Sequence, residues 1–285
     1  MRKLLLAFFG IVALTFCGCA GKSADAVAAG AEPTGTVGTF LKGSHVDVAT
    51  ATSKLKAGGF EVIATVPNIV EQGTVIVFTC PKLKAEAAKP GRAYIAAMRL
   101  FVDDKENSIA ITNPVYFGKA YMQDSYNHAT FSAVKSKIEA AFGGLKESAD
   151  NMKFKNLGDY HFTISMPYYK DQAVVGEGAN DELLARAKAF KKGADILFEL
   201  KLSDSSTLLG HKVGLKTSTF VEKIGRANAA VMPWMVSVEN GKAKILKGEY
   251  YIAMNYPLLG MGEFMGIASI PDSVIKDLEK PFKKK

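Results

Sequence analysis

The sequence predicts an α+β fold built from two-layer units, and three observations lead there. Short β-branched runs bounded by Gly, Pro and Asn alternate with stretches whose apolar residues recur every three or four positions. The order of these elements is met twice along the chain. The composition is that of a globular protein, with 48% hydrophobic and 22% charged residues among 285. Antiparallel sheets covered on one face by helices satisfy all three. Two such copies, packed as a pseudo-dimer, would cover the sheet faces left over.

In the first copy an extended segment at 45–48 leads into a helix at 49–57, stopped by Gly58 and Gly59. Strands are expected at 60–66, 73–80, 96–102 and 108–112, the last two joined by the polar turn Asp103, Asp104, Lys105, Glu106, Asn107. Phe131, Val134, Ile138 and Phe142 share one face of a closing helix at 131–142. The run Val75, Ile76, Val77, Phe78 is apolar throughout, which asks for cover on both sides.

The second copy opens with a strand at 161–166 and a helix at 181–192. Asp181 and Glu182 at that helix's start, and Lys191 and Lys192 at its end, suit the helix dipole. Strands are expected at 195–202, 208–215, 231–238 and 249–255, and a last helix at 271–282. Residues 109–114 align without a gap with 252–257, and Met98 and Val102 align with Met232 and Val236. The hairpin at 241–248 then reads as a lengthened turn. The expected organisation is a leader at 1–18, a tether at 19–44, a first domain at 45–142, a linker at 143–159 and a second domain at 160–285.

Arg2 and Lys3 precede an apolar stretch from Leu4 to Phe16, too short to span about 30 Å of hydrocarbon. Gly18 then precedes Cys19. Phe16, Cys17, Gly18 and Cys19 resemble a lipobox, in which the cysteine receives diacylglycerol before cleavage. Cys19 is therefore the expected lipidation site, and the membrane, through that anchor, the expected partner. Ala20 in place of Asp favours the outer membrane, facing the periplasm. Residues 20–44, rich in Ala, Gly, Ser and Thr, read as a flexible tether. The net charge of +8 is carried by dispersed lysines, with no basic stripe of the kind that binds nucleic acid.

A helix ending in Lys56, Ala57, Gly58, Gly59, Phe60, a strand ending in Cys80, Pro81, Lys82, Leu83, and a hairpin ending in Asn113, Pro114, Val115, Tyr116 resemble domain-of-unknown-function family 302. The resemblance covers about 45–142; the second copy follows it less closely, with Tyr256 in the place of Asn113. It implies a β-α-β4-α fold of the TATA-binding-protein-like type that pairs through its sheets, so that tandem copies would form a built-in pseudo-dimer. It implies no activity.

The chemistry-bearing residues form no recognisable catalytic set. His45, His128, His161 and His211 lack metal-ligand spacing, and surface or hydrogen-bonded histidines are the default. Cys80, at the end of an apolar run, reads as a buried strand-end thiol, with a reactive thiol as the alternative. Met232, Met235, Met254, Met261 and Met265 crowd the second copy. Thioethers suit Cu(I), but methionine is also an adaptable core filler, and no metal or cofactor is expected. Trp234, Met254, Tyr256, Met261 and Met265 are the candidate ligand-binding residues, an amphipathic set able to line an apolar groove or to fill the interface between copies. The expected function is a non-catalytic, lipid-anchored envelope module for a small apolar ligand or an envelope protein. The alternatives are a structural lipoprotein without ligand and a copper or thiol redox protein.

Overall fold

A computed structural model describes residues 30–284. The chain is mixed α+β with antiparallel sheets. Two short strands, β1 (Thr36–Gly38) and β2 (Phe40–Ser44), lead to helix α1 (Val48–Ala57), whose N-cap Asp47 accepts from the Thr50 amide. Next come β3 (Glu61–Val70), β4 (Gly73–Thr79), α2 (Pro81–Ala87), β5 (Met98–Asp103) and β6 (Ser108–Thr112). Helices α3 (Pro114–Met122) and α4 (His128–Phe142) follow, and then the short strands β7 (Lys146–Glu147) and β8 (Asn151–Lys153).

The remaining chain runs through β9 (Ala173–Glu177), α5 (Asn180–Ala189), β10 (Ile196–Ser203), β11 (Ser206–His211), α6 (Leu215–Ser218) and α7 (Phe220–Ile224). It closes with β12 (Trp234–Glu239), β13 (Lys242–Ile245), α8 (Gly248–Asn255), α9 (Met261–Met265) and α10 (Ile270–Glu279). No helix among the described residues is long and apolar enough to cross a membrane.

The two larger sheets share one order over five strands, and the first adds β7 at its edge. The first runs β3-β4-β5-β6-β2-β7 and the second β10-β11-β12-β13-β9. In each, the strand before the first helix lies beside the later hairpin, and an α-helical connection follows the second long strand. The central ladders match rung for rung. Gly73 to Phe78 pair with Asp103 to Met98, and Ser206 to His211 pair with Glu239 to Trp234.

Several expectations are corrected. The tether expected to reach residue 44 carries β1 and β2, and Phe40 and Leu41 are core residues. The linker expected at 143–159 carries β7 and β8, which pair with β2 and β1. The strand expected at 161–166 is absent; the opening strand of the second sheet is β9, hydrogen-bonded to β13. The stretch expected as a strand at 249–255 is helix α8, buried except for the half-buried Glu249, so its aromatic content marked burial rather than strand. The true last strand is β13, inside the segment read as a lengthened turn. The aligned stretches 109–114 and 252–257 are thus strand β6 and helix α8. By ladder position the partner of Met98 is Trp234, two residues beyond the expected Met232.

The two halves are joined by polar contacts set in an apolar interface. Asp103, 1% exposed, accepts from Arg226 at 2.6 Å and 3.1 Å, and Arg226 also donates to the Glu71 carbonyl. At the corresponding end of the other ladder Glu239 accepts from the Gly91 amide at 2.8 Å. Arg99, on β5, donates to the Tyr251 hydroxyl at 2.5 Å and lies against the Met235 sulfur at 3.9 Å. Tyr94 donates to the Lys244 carbonyl at 2.9 Å.

Candidate functional site

A cleft of about 1030 Å3 opens where β3 of the first half faces the second half. One wall is the stretch Thr65 to Glu71 at the end of β3. The opposite wall comes from Leu197 on β10, the end of β11, the loop and helices that follow it, Asp277 on α10 and Lys280 just after it. Its volume lies at the upper end of the range of about 300–1,000 Å3 typical of small-molecule sites. The position follows from local chemistry. Pro67 and Asn68, the latter with φ of 54°, break the β3–β4 ladder between Val66 and Val70, so the strand bulges away from its partner. Gly214 and the short helix α6 turn the chain off β11. Asp277 holds that turn by accepting from the Gly214 amide at 2.9 Å and the Thr217 hydroxyl at 2.8 Å. Burial pushes the Asp277 carboxyl up, but bonds from Lys280, Gly214 and Thr217 outweigh it and hold its pKa below the usual value.

His211 and Trp234 both line this cleft. They are direct cross-strand partners on β11 and β12, so their side chains leave the same face of the sheet side by side. Each is 1% exposed. Neither ring nitrogen of His211 has a hydrogen-bond partner among the described residues, and neither does the Trp234 indole nitrogen. They are three of thirteen buried side-chain atoms without a partner among the described residues, a set that includes the Tyr116, Tyr121 and Tyr250 hydroxyls. Burial holds the His211 imidazole neutral, down to about 4, against a smaller opposing pull from Asp195. The Trp234 ring rests on Tyr251, with centroids 4.7 Å apart.

Charges around the cleft are matched. Lys191 pairs with Asp195 at 3.0 Å, Lys280 with Asp277 at 2.8 Å, and Glu222 with Arg226 at 3.3 Å. Lys212 stands at the exposed rim. Val66, Ile69, Val70, Leu197 and Val213 supply apolar surface.

The five expected ligand-binding residues do not form one pocket. Trp234 alone lines the cleft. Met254 is fully buried in α8. Tyr256 is a packing residue whose hydroxyl donates to the Gly225 carbonyl at 2.9 Å and whose ring meets Phe220 edge-on. Met261 and Met265, on α9, are 48% and 64% exposed and lie at the surface. Cys80 is buried and caps no helix with its side chain, and burial raises its thiol pKa. His211, expected to be a surface or hydrogen-bonded histidine, is neither. Cys19 lies outside the described residues. No group of three His, Cys, Asp or Glu among the described residues is placed to hold a metal ion.

A second, shallower pocket of about 380 Å3 is lined by His161, Tyr168, Asp171, Lys247 and Glu249 among others. The His161 ring stacks on Tyr168 at 4.4 Å. It is more open than the first and mostly polar, so it offers a ligand less burial.

No family model, no curated protein and no solved structure matches this chain.

Proposed function

We propose that this chain is a non-catalytic binding module of the bacterial cell envelope, anchored by lipid at Cys19 and facing the periplasm from the outer membrane. Its two halves are tandem copies of a TATA-binding-protein-like domain packed as a pseudo-dimer, and a small, largely apolar ligand occupies the cleft between them. The single observation that supports the binding reading is the cleft of about 1030 Å3, lined by β3 of the first half and by the second half, with Val66, Ile69, Val70, Leu197 and Val213 as its apolar surface.

The pseudo-dimer reading is supported by the shared strand order and by the matched ladders. Asp103 and Glu239 occupy equivalent rungs, and each bonds across to the other half near the start of a 3-10 turn, Asp103 to its first residue Arg226 and Glu239 to Gly91 just before it. Arg99 and Met235 are likewise equivalent, and they touch each other, as residues beside a two-fold axis must.

Native mass spectrometry of the full chain, purified from bacterial membranes in mild detergent, tests the binding reading. Added mass that is lost on denaturation supports it, and its value sizes the ligand. A bare chain, with no shift of the sole tryptophan's fluorescence on adding envelope lipid extract, refutes it. Anchoring is tested by Cys19→Ser, which is expected to move the protein from the membrane fraction to the soluble periplasm.

A further inference from the structure

We infer that the adjoining segments 160–169 and 256–269 form a membrane-contact surface, from which Ile164, Leu258, Met261 and Met265 enter the lipid leaflet that holds the anchor. The surface adds a second, non-covalent hold on the bilayer that the proposed anchoring at Cys19 reaches, and so rests on that reading.

The four side chains are 87%, 62%, 48% and 64% exposed, in that order. Solvated surfaces scatter large apolar groups singly among charges. These two segments carry almost no charge. Residues 160–169 include no Asp, Glu, Lys or Arg, and residues 256–269 include only Glu263. That carboxylate is used locally, accepting from the Gly260 amide at 2.8 Å.

The apolar groups are held from beneath. Phe264 is buried, and its ring packs on Phe162 with centroids 5.1 Å apart, which joins the two segments. Met261 and Met265 are four residues apart on α9, so both leave one side of the helix. Ile267 and Ile270 fix the following turn in the core. In the first segment Tyr168 is partly exposed, and the Lys170 ammonium stands over its ring at 5.6 Å. Amphipathic rings and lysine stems of this kind sit at headgroup level, with one end apolar and the other wet.

The occupant is a bilayer because the chain enters the fold beside these segments. It reaches β1 through Gly35, whose carbonyl accepts from the Phe154 amide at 3.0 Å. Phe154 opens the 3-10 turn Phe154–Asp159, which runs directly into 160–169. At the other end of β1, the Asp150 carbonyl accepts from the Thr39 amide. The Asp150 carboxylate and the Asn255 carbonyl both accept from Asn228, at 3.0 Å and 2.8 Å. One end of the β1–β8 pair thus leads to the first segment, and the other is bonded to the helix that precedes the second. Residues 20–29 separate Cys19 from the first described residue, and a stretch of that length spans at most about 35 Å. A body tethered so closely meets lipid at a far higher effective concentration than any dilute partner.

The test uses the full chain, purified from bacterial membranes in mild detergent and reconstituted into phosphatidylcholine liposomes with or without brominated acyl chains. Bromine quenches tryptophan on contact, and native Trp234, buried, serves as the unquenched reference. Met265→Trp is expected to lose most of its added emission in brominated liposomes. Leu215→Trp, at an exposed apolar position outside both segments, is expected to keep its emission. Adding Leu258→Glu and Met261→Glu to Met265→Trp is expected to restore the emission while the anchor still holds the chain on the liposomes. Quenching of both reporters alike, or of neither, on liposomes that carry the chain overturns the inference and leaves anchoring standing. A crosslinked dimer with neither reporter quenched would assign the patch to a second copy. A purified chain that lacks the mass of acyl chains and fails to float with the liposomes removes both the anchor and the contact surface.

Discussion

Lowering the pH is expected to destabilise this fold through His211, and the size of the effect follows from the site. An unfolded histidine titrates near 6.5, whereas burial holds His211 down to about 4. Between those values the unfolded chain binds a proton that the folded chain refuses. Stability therefore rises with pH across this window and falls as the pH drops from 6.5 to 4. Above 6.5 both states are neutral and the term vanishes. At about 1.4 kcal/mol per pH unit the gap amounts to about 3 kcal/mol at pH 4, a large fraction of the 5–15 kcal/mol that stabilises typical domains. Lys191, Lys212, Lys280, Asp195 and Asp277 line the same cleft, and carboxylates elsewhere also titrate in acid. The histidine term is isolated by comparison with His211→Phe, which carries the residue found at the equivalent rung, Phe78. Urea unfolding followed by Trp234 fluorescence is run for both proteins from pH 8 to pH 4. The difference in unfolding free energy should be flat above pH 7 and move by about 3 kcal/mol in the variant's favour by pH 4. Parallel profiles would refute the reasoning, since they would mean that His211 protonates inside the folded protein.

Arg226→Met should destabilise the protein by about 3–5 kcal/mol in chemical denaturation, because it strands the buried Asp103 carboxylate. Adding Asp103→Asn should recover part of that loss, and no recovery would show that the arginine matters through packing alone. Gly210→Ala should cost about 1–3 kcal/mol, since a Cβ there would overlap the ring of Phe198, its cross-strand neighbour. An unchanged melting temperature would contradict that close approach. The Cys80 thiol, buried and raised in pKa, should resist iodoacetamide at pH 8 in native protein and react promptly in urea. Equal rates in the two conditions would place it at the surface.

Legibility of the fold followed the strength of local signals. The helix expected at 131–142 is the body of α4, and the strand expected at 108–112 is β6 to the residue. Their apolar spacing and turn residues agree with their burial. Helices α2 and α3 were not anticipated, because Pro81 and Pro114 read as turn residues after a strand. Both stand at the first helical position, where proline's missing N–H costs nothing, and Asn113 caps α3 through its side chain to the Val115 amide. Strand β13 carries an alternating pattern, Lys242, Ala243, Lys244, Ile245, with the alanine and isoleucine buried. Four residues beside Gly241 were too short a signal against the stronger aromatic run of α8. Of the site, Trp234 was legible as a large amphipathic ring. His211 was not, because its importance lies in facing Trp234 across the sheet. The segment joining β11 to β12 is long and partly helical, so no turn rule gives that register from the sequence.

The location of the cleft has a physical reason in the asymmetry between the halves. After β4, helix α2 begins with proline and runs through seven residues, and its Leu83 and Ala87 are buried. After β11, the corresponding α6 has four residues, and Leu215 at its start is 82% exposed. The connection as a whole is longer, 22 residues at 212–233 against 18 at 80–97, but its first helix is shorter and partly exposed, and the cleft lies beside it. At the end of the β11–β12 ladder His211 lies against Phe282, with ring centroids 5.9 Å apart, and Trp234 on Tyr251, each 1% exposed. In the first half the same rung is sealed by Phe60 against Phe78. The rung is thus closed in both halves, and the open surface of the cleft comes from the exposed start of α6 and from the bulge of β3 at Pro67 and Asn68.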